Sequence, residues 1–217
     1  DLVHRKSYIT EGATCHYTWY VPQNIQGLFN VINKSVDKSA KCLNRNVQGI
    51  SQSDTMSAVV SRLDKMFDEG LYWHGNEPCH QVAYLYDAAG APWKTQQRIH
   101  HILNTEYNDT PGGLSGNDDA GQMSAWYVFS AIGFYPVCPS TPYYYIGTPS
   151  FDKVTFNLEN GKKFEIQAHG VGDKAFYIQK TLLNGKPMSG YQLSHDDILK
   201  GGNLEFWMGE RPANESK

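Results

Sequence analysis

The apolar residues of this chain change their spacing near residue 140, from the three-to-four-residue period of helices to the two-residue period of strands. One layer cannot satisfy both periods, so the sequence predicts a mainly α fold with an appended β region, divided as 1–140 and 141–217. Asn24 to Asn33 and Ser57 to Phe67 read as helices, the second with Val59, Leu63, Met66 and Phe67 at helical spacing and Gly70 as its stop. Between them Lys34 to Asp54 is polar and reads as a surface loop carrying Cys42. A third helix is expected from Pro78 to Ala89, closed by Gly90, and a fourth from Pro92 to Tyr107. The fifth opens after Gly116-Asn117-Asp118-Asp119 and stops at Gly133. Helices in series with apolar stripes suggest a bundle or an α/α barrel.

Beyond Pro142, strands are expected at Tyr143 to Ile146, Lys153 to Leu158, Lys163 to Ala168, Phe176 to Leu183 and Leu204 to Met208. Asn160-Gly161 and Asn184-Gly185 supply hairpin turns, so the second part reads as a small antiparallel sheet or sandwich.

Composition narrows the function classes. A net charge of -3 without a block of like charges gives no footprint for nucleic acid. No apolar run approaches the roughly 20 residues that cross a bilayer, so no membrane partner is expected. Five Trp and 14 Tyr provide flat apolar faces with polar handles, which suit neutral polar ligands such as sugars. The chain opens on Asp1-Leu2-Val3 without Met or an apolar leader, and is expected to be a processed product or a fragment. Sequons at Asn33, Asn108 and Asn214, and four cysteines with no C-x-x-C spacing, favour a secreted protein with up to two disulfides in any of three pairings.

Two segments share a grammar: Gly75-Asn76-Glu77-Pro78 and Gly116-Asn117-Asp118-Asp119 each place Gly-Asn and then acid before a helix. Such residues cap helices, and the same placement can hold a carboxylate ionised and aim it at a cavity as a general base or cation ligand. A third acid, Glu11, precedes Gly12 and the aromatic stretch Tyr17-Thr18-Trp19-Tyr20. Its plain reading is an exposed Glu at a turn before Gly12, whereas burial among those rings would raise its pKa as a general acid requires. His74, His80, His100 and His101 lack an H-E-x-x-H spacing and read as surface or hydrogen-bonded residues. Trp93 and Trp126 read as core, and no phosphate loop or G-x-S-x-G elbow occurs.

Taken together, Glu11-Gly12, His16-Tyr17-Thr18-Trp19-Tyr20-Val21-Pro22, Gly75-Asn76-Glu77-Pro78-Cys79-His80-Gln81, Pro92-Trp93-Lys94-Thr95, Gly116-Asn117-Asp118-Asp119, Gly121-Gln122-Met123-Ser124-Ala125-Trp126 and Gly133-Phe134-Tyr135-Pro136 resemble the C-terminal half of glycoside hydrolase family 92. These are calcium-dependent exo-acting α-mannosidases. The resemblance implies that residues 1–140 are the later helices of an (α/α)6 catalytic barrel and 141–217 its closing β region. The N-terminal β-sandwich and first barrel helices would be a missing partner half, without which an apolar inner face is left bare.

The resemblance further implies inverting hydrolysis of terminal mannose, α-1,2-linked, from N-glycans or mannan. Glu11 falls on the family's general acid and Asp119 on its base. Glu77 would bind mannose hydroxyls or calcium, the latter with Asp119, while Asn76, Asn117, Asp118 and Trp19 would surround the sugar. Capping remains a role for Asn117 or Asp118. Departures after Glu11 alter the acid's surroundings: Ala13 and Cys15 stand where the motif has Asn and Trp, and His16 replaces Gln. Cys15 and Cys79 would approach each other if both motifs line one cleft. A carbohydrate-binding or scaffold remnant that has lost catalysis is the alternative reading, and plain helix caps in a structural domain a third.

Overall fold

The computed structural model describes residues 7–42 and 52–213. Helices α1 (Thr14–Thr18), α2 (Ile25–Cys42), α3 (Gln52–Asp68), α4 (Leu85–Ala88), α5 (Pro92–Thr105) and α6 (Gln122–Ile132) precede the strands. The strands are β1 (Phe134–Tyr135), β2 (Tyr143–Ile146), β3 (Lys153–Asn157), β4 (Lys163–His169), β5 (Tyr177–Leu183), β6 (Lys186–Pro187), β7 (Gln192–Ser194) and β8 (Gly202–Gly209), with α7 (His195–Leu199) before the last.

Two helical expectations need correction. The expected loop from Lys34 to Asp54 is shorter: its first part continues α2 as far as Cys42, since Lys34 to Cys42 holds neither Pro nor Gly, its last residues open α3 at Gln52, and 43–51 lie outside the described residues. The expected helix from Pro78 to Ala89 is broken into 3₁₀ turns at Glu77–Cys79 and Val82–Tyr84 and the short α4. Residues 79–87 are all buried, so no polar face sets one helical phase, and the turns tighten to i→i+3 bonds such as Tyr84 N–H to Gln81 O at 3.0 Å.

The β region is not the simple antiparallel sheet expected. One sheet is three-stranded and antiparallel in the order β1-β2-β7; the other has the order β3-β4-β8-β5-β6. Within the second, β4 pairs with β8 in parallel, from Phe164 with Gly202 to His169 with Trp207. The hairpins at Asn160-Gly161 and Asn184-Gly185 join β3 to β4 and β5 to β6 as their turn chemistry predicts.

Two apolar clusters result. Phe29, Val59, Leu63, Tyr84, Ile99 and Trp126 centre the helical one, while Phe134, Phe164, Ile166, Leu204 and Phe206 centre that of the sheets. Phe129 packs against both. Each fully buried side chain of this size stabilises the fold by roughly 2–3 kcal/mol. On the flank, Lys94 bridges both oxygens of Asp64 at 2.9 and 3.0 Å and Tyr86 donates to the same carboxylate at 2.9 Å, tying α5 to α3.

Candidate active site

Three segments distant in sequence meet at one cavity of about 510 Å³: Glu11 to His16, Trp73 to Asn76, and Gly116 to Asp119. The contact between the last two is backbone against backbone. A Cβ at Gly116 would stand 2.3 Å from the Gly75 carbonyl oxygen, and one at Gly75 would stand 2.7 Å from that of Ser115. The repeated Gly-Asn therefore has a packing cause: both glycines are needed for the two acidic turns to touch.

Asn76 joins the third segment to this pair. Its side-chain oxygen accepts from the Glu77 N–H at 3.1 Å, capping the 3₁₀ turn, while its Nδ2 donates to the main-chain carbonyl of Glu11. Glu11 is held at φ 55° and Asp119 at φ 47°, in the left-handed region that L-residues avoid at a cost of about 1–2 kcal/mol. Among the described residues two other non-glycines do this: Ala120, which continues the Asp119 turn, and Asn184, whose Asn-Gly turn requires it. Uncommon backbone at both carboxylates of one cavity is the arrangement found at functional sites.

The neighbouring acids divide their work. Helix α6 has Gly121 as its N-cap, which brings no side chain, and Asp118 Oδ1 accepts the Ser124 N–H at 2.9 Å in its place. Asp119 lies on the wall shared with a second cavity of about 390 Å³, lined also by Tyr20, Glu77, His80, Gln122 and Tyr135.

Behind these walls two histidines are fixed as neutral tautomers. Tyr107 donates to the Met123 carbonyl at 3.1 Å, so it accepts from His74 Nε2–H at 2.6 Å, and Tyr72 donates to His74 Nδ1 at 2.7 Å. Burial, with His80 nearby, pushes the His74 pKa down to about 2. His80 donates through Nε2 to the His74 carbonyl at 3.0 Å and accepts from Gln122 through Nδ1 at 3.2 Å; burial lowers its pKa too, against the pull of Glu77 and Asp119.

Residues 2–210 match the glycosyl hydrolase family 92 catalytic domain. The chain belongs to glycosyl hydrolase family 92. It superposes on a family GH92 α-mannosidase of Bacteroides thetaiotaomicron with a TM-score of 0.82 at 40% identity, covering 100% of this chain and 27% of that one. For the family GH92 inverting mannosidase of Bacteroides thetaiotaomicron VPI-5482 the TM-score is 0.83 at 34% identity, covering 99% and 30%. An uncharacterized secreted glycosidase of Arthroderma benhamiae is 34% identical over 161 residues, 73% of this chain and 21% of that protein. The chain thus spans under a third of the length of each of these relatives.

In this family 92 chain the structure brings Glu11, Asn76, Asn117 and Asp119 to the first cavity, while Glu77 lines the second together with Asp119. It does not bring Trp19 to either. That ring is 5% exposed in the helical core, and only its carbonyl reaches the neighbourhood, accepting from Gln81 at 3.3 Å. Nor do the rings enclose Glu11, which is exposed: Trp19 turns inward, Tyr20 stays open, and Tyr17 donates to the Thr10 carbonyl at 2.5 Å. Trp73, which stands in none of the motifs, and His16, the departure after Glu11, line the first cavity. Trp73, which directly precedes buried His74, is 40% exposed.

No group of three or more His, Cys, Asp or Glu among the described residues is placed to hold a metal ion. Glu77 and Asp119, which line one cavity, are hard oxygen donors of the kind calcium takes, and two carboxylates do not complete a shell of six to eight oxygens.

Proposed function

We propose that this family 92 chain carries the catalytic end of an exo-α-mannosidase that removes terminal α-1,2-linked mannose from N-glycans or mannan with inversion. The carrying observation is that Glu11 and Asp119 line one cavity, each on a left-handed residue. Two solved relatives, at 40% and 34% identity, described as an α-mannosidase and an inverting mannosidase, support the substrate class. In this reading α1 to α6 are later helices of an (α/α)6 barrel, completed by a partner half that carries the earlier helices and a β-sandwich. Tyr20 and Trp73, 50% and 40% exposed beside the cavities, are surfaces for the sugar and that partner. Secretion is part of the reading, supported by the secreted relative and by the exposed sequon residue Asn108.

Glu11 gives its proton to the glycosidic oxygen as the bond to C1 breaks. On the opposite face Asp119 takes a proton from the water whose oxygen bonds to C1, so the product sugar is inverted. The gap for that water is roughly 6.5–9.5 Å between carboxylates. Asn76 holds Glu11 through its carbonyl, and Asp118, by capping α6, keeps the turn that presents Asp119. Calcium held by Glu77 and Asp119 would supply a cation to the mannose hydroxyls and help distort the ring.

Proton NMR of the first sugar released from an α-1,2-mannobiose by the intact enzyme tests the reading. β-Mannose is expected, with turnover abolished and sugar binding kept in Asp119→Asn; α-mannose, or full activity of the variant, overturns it. Exposed Glu11 and the altered residues after it favour a second reading, a carbohydrate-binding remnant. Binding without release of mannose, with or without a chelator, would establish that one.

A further inference from the structure

Helix α1 and the 3₁₀ turn Glu77–Cys79 pack on each other, and each has one buried residue, Cys15 in the first and Cys79 in the second. Two bonds bracket the pair. Asn76 Nδ2 donates to the Glu11 carbonyl on one side, and Gln81 Nε2 donates to the Trp19 carbonyl on the other, so positions 11 and 19 sit opposite 76 and 81. In sequence Cys15 lies midway between the first two and Cys79 between the second two, and both are buried free thiols in this structure. Burial is the main cause that pushes the Cys79 thiol up to about 12, and Cys15 adds to it.

We infer that Cys15 and Cys79 form a disulfide in an oxidising compartment, a covalent clamp between the turn carrying Glu11 and the turn carrying Glu77. The oxidant is a disulfide, either a small one such as glutathione disulfide or that of a protein oxidoreductase. Cys15, 9% exposed against 0% for Cys79, loses its proton and attacks first, forming a mixed disulfide and releasing one thiolate. The Cys79 thiolate then attacks the Cys15 sulfur and displaces the second thiol. Two cysteine hydrogens leave, and the oxidant is reduced to two thiols.

The clamp closes a loop containing all of α2 and α3, so it restricts the unfolded chain strongly. It also runs parallel to the Asn76 bond that holds Glu11, so oxidation would stiffen the acid's position.

The test uses the intact enzyme produced through a secretory route, unfolded in iodoacetamide without reductant, digested and weighed. A joined peptide pair containing Cys15 and Cys79, lighter by two hydrogens than the reduced pair and free of alkylation, is expected. Full alkylation of both, or joining of either to Cys42 or Cys138, overturns the inference. Reduction is also expected to lower Tm by several degrees in the natural protein and to leave Tm unmoved in Cys15→Ala; equal shifts in both would overturn it. Neither measurement depends on mannosidase activity.

Discussion

The side-chain amide of Asn76 donates to the main-chain carbonyl of Glu11, joining the two motifs that sequence places 65 residues apart. Its other end caps the Glu77 turn at 3.1 Å, so one side chain performs two separable tasks. Asp in its place can cap but cannot donate. Asn76→Ala in the intact enzyme should therefore lose about 1–2 kcal/mol of stability and about 10- to 100-fold in kcat/KM. Asn76→Asp should recover the Tm but not the rate, and recovery of both would remove the tie from the mechanism.

Gly116 offers a steric test. Its added Cβ would meet the Gly75 carbonyl oxygen at 2.3 Å, and backbone cannot swing aside as a side chain can. Gly116→Ala is expected to cost about 1–3 kcal/mol and to separate Asn76 and Glu77 from Asp119, with a loss of activity larger than the loss of Tm implies. Gly112→Ala, whose Cβ meets nothing within 4 Å, should change neither. Thermal melts and initial rates on both variants would decide it.

His74 makes stability depend on pH. Its pKa is about 2 in the fold against 6.5 when free, so between those values the unfolded chain binds a proton that the folded chain refuses. The stability is fully present above pH 6.5 and is lost as pH falls, by about 1.4 kcal/mol per pH unit from this group, with lowered His80 adding in the same direction. Urea midpoints from pH 7.5 to 5 should show the fall, and His74→Gln should be less stable at pH 7.5 but flatter. An unchanged slope in the variant would show that other groups carry it.

Asp87 acts with the opposite sign. It is 2% exposed, and burial pushes its carboxyl well above the usual range, with the Thr95 hydroxyl pulling the other way; among the described residues no hydrogen-bond partner meets either oxygen. A raised folded pKa means stability present below the unfolded value and lost as pH rises through the interval to the folded one. Asp87→Asn is therefore expected to raise Tm at pH 7 and to give no gain at pH 4, and equal gains at both would remove ionisation as the cause.

The sequence by itself determined the local features. The expected strands from Tyr143 to Leu183 lie within about a residue of those observed, and the Asn-Gly turns fall where φ must be positive, because pleat and turn chemistry depend on a few neighbouring residues. Family membership was legible too, since the motif residues stand in order along the chain. Only the tertiary structure decided what depends on distant partners. The parallel pairing of β4 with β8 joins segments that periodicity cannot relate, because alternation reports which face is buried and not against what. The all-buried 79–87 segment carried no polar face to reveal its tight turns, and Trp19, a sugar platform by type, went into the core with Phe29 and Tyr84. Glu11 and Asp119 could be named from the family motifs that the sequence resembles. Their meeting at one cavity, on two left-handed residues, required a pair of glycines to touch and one asparagine to reach across.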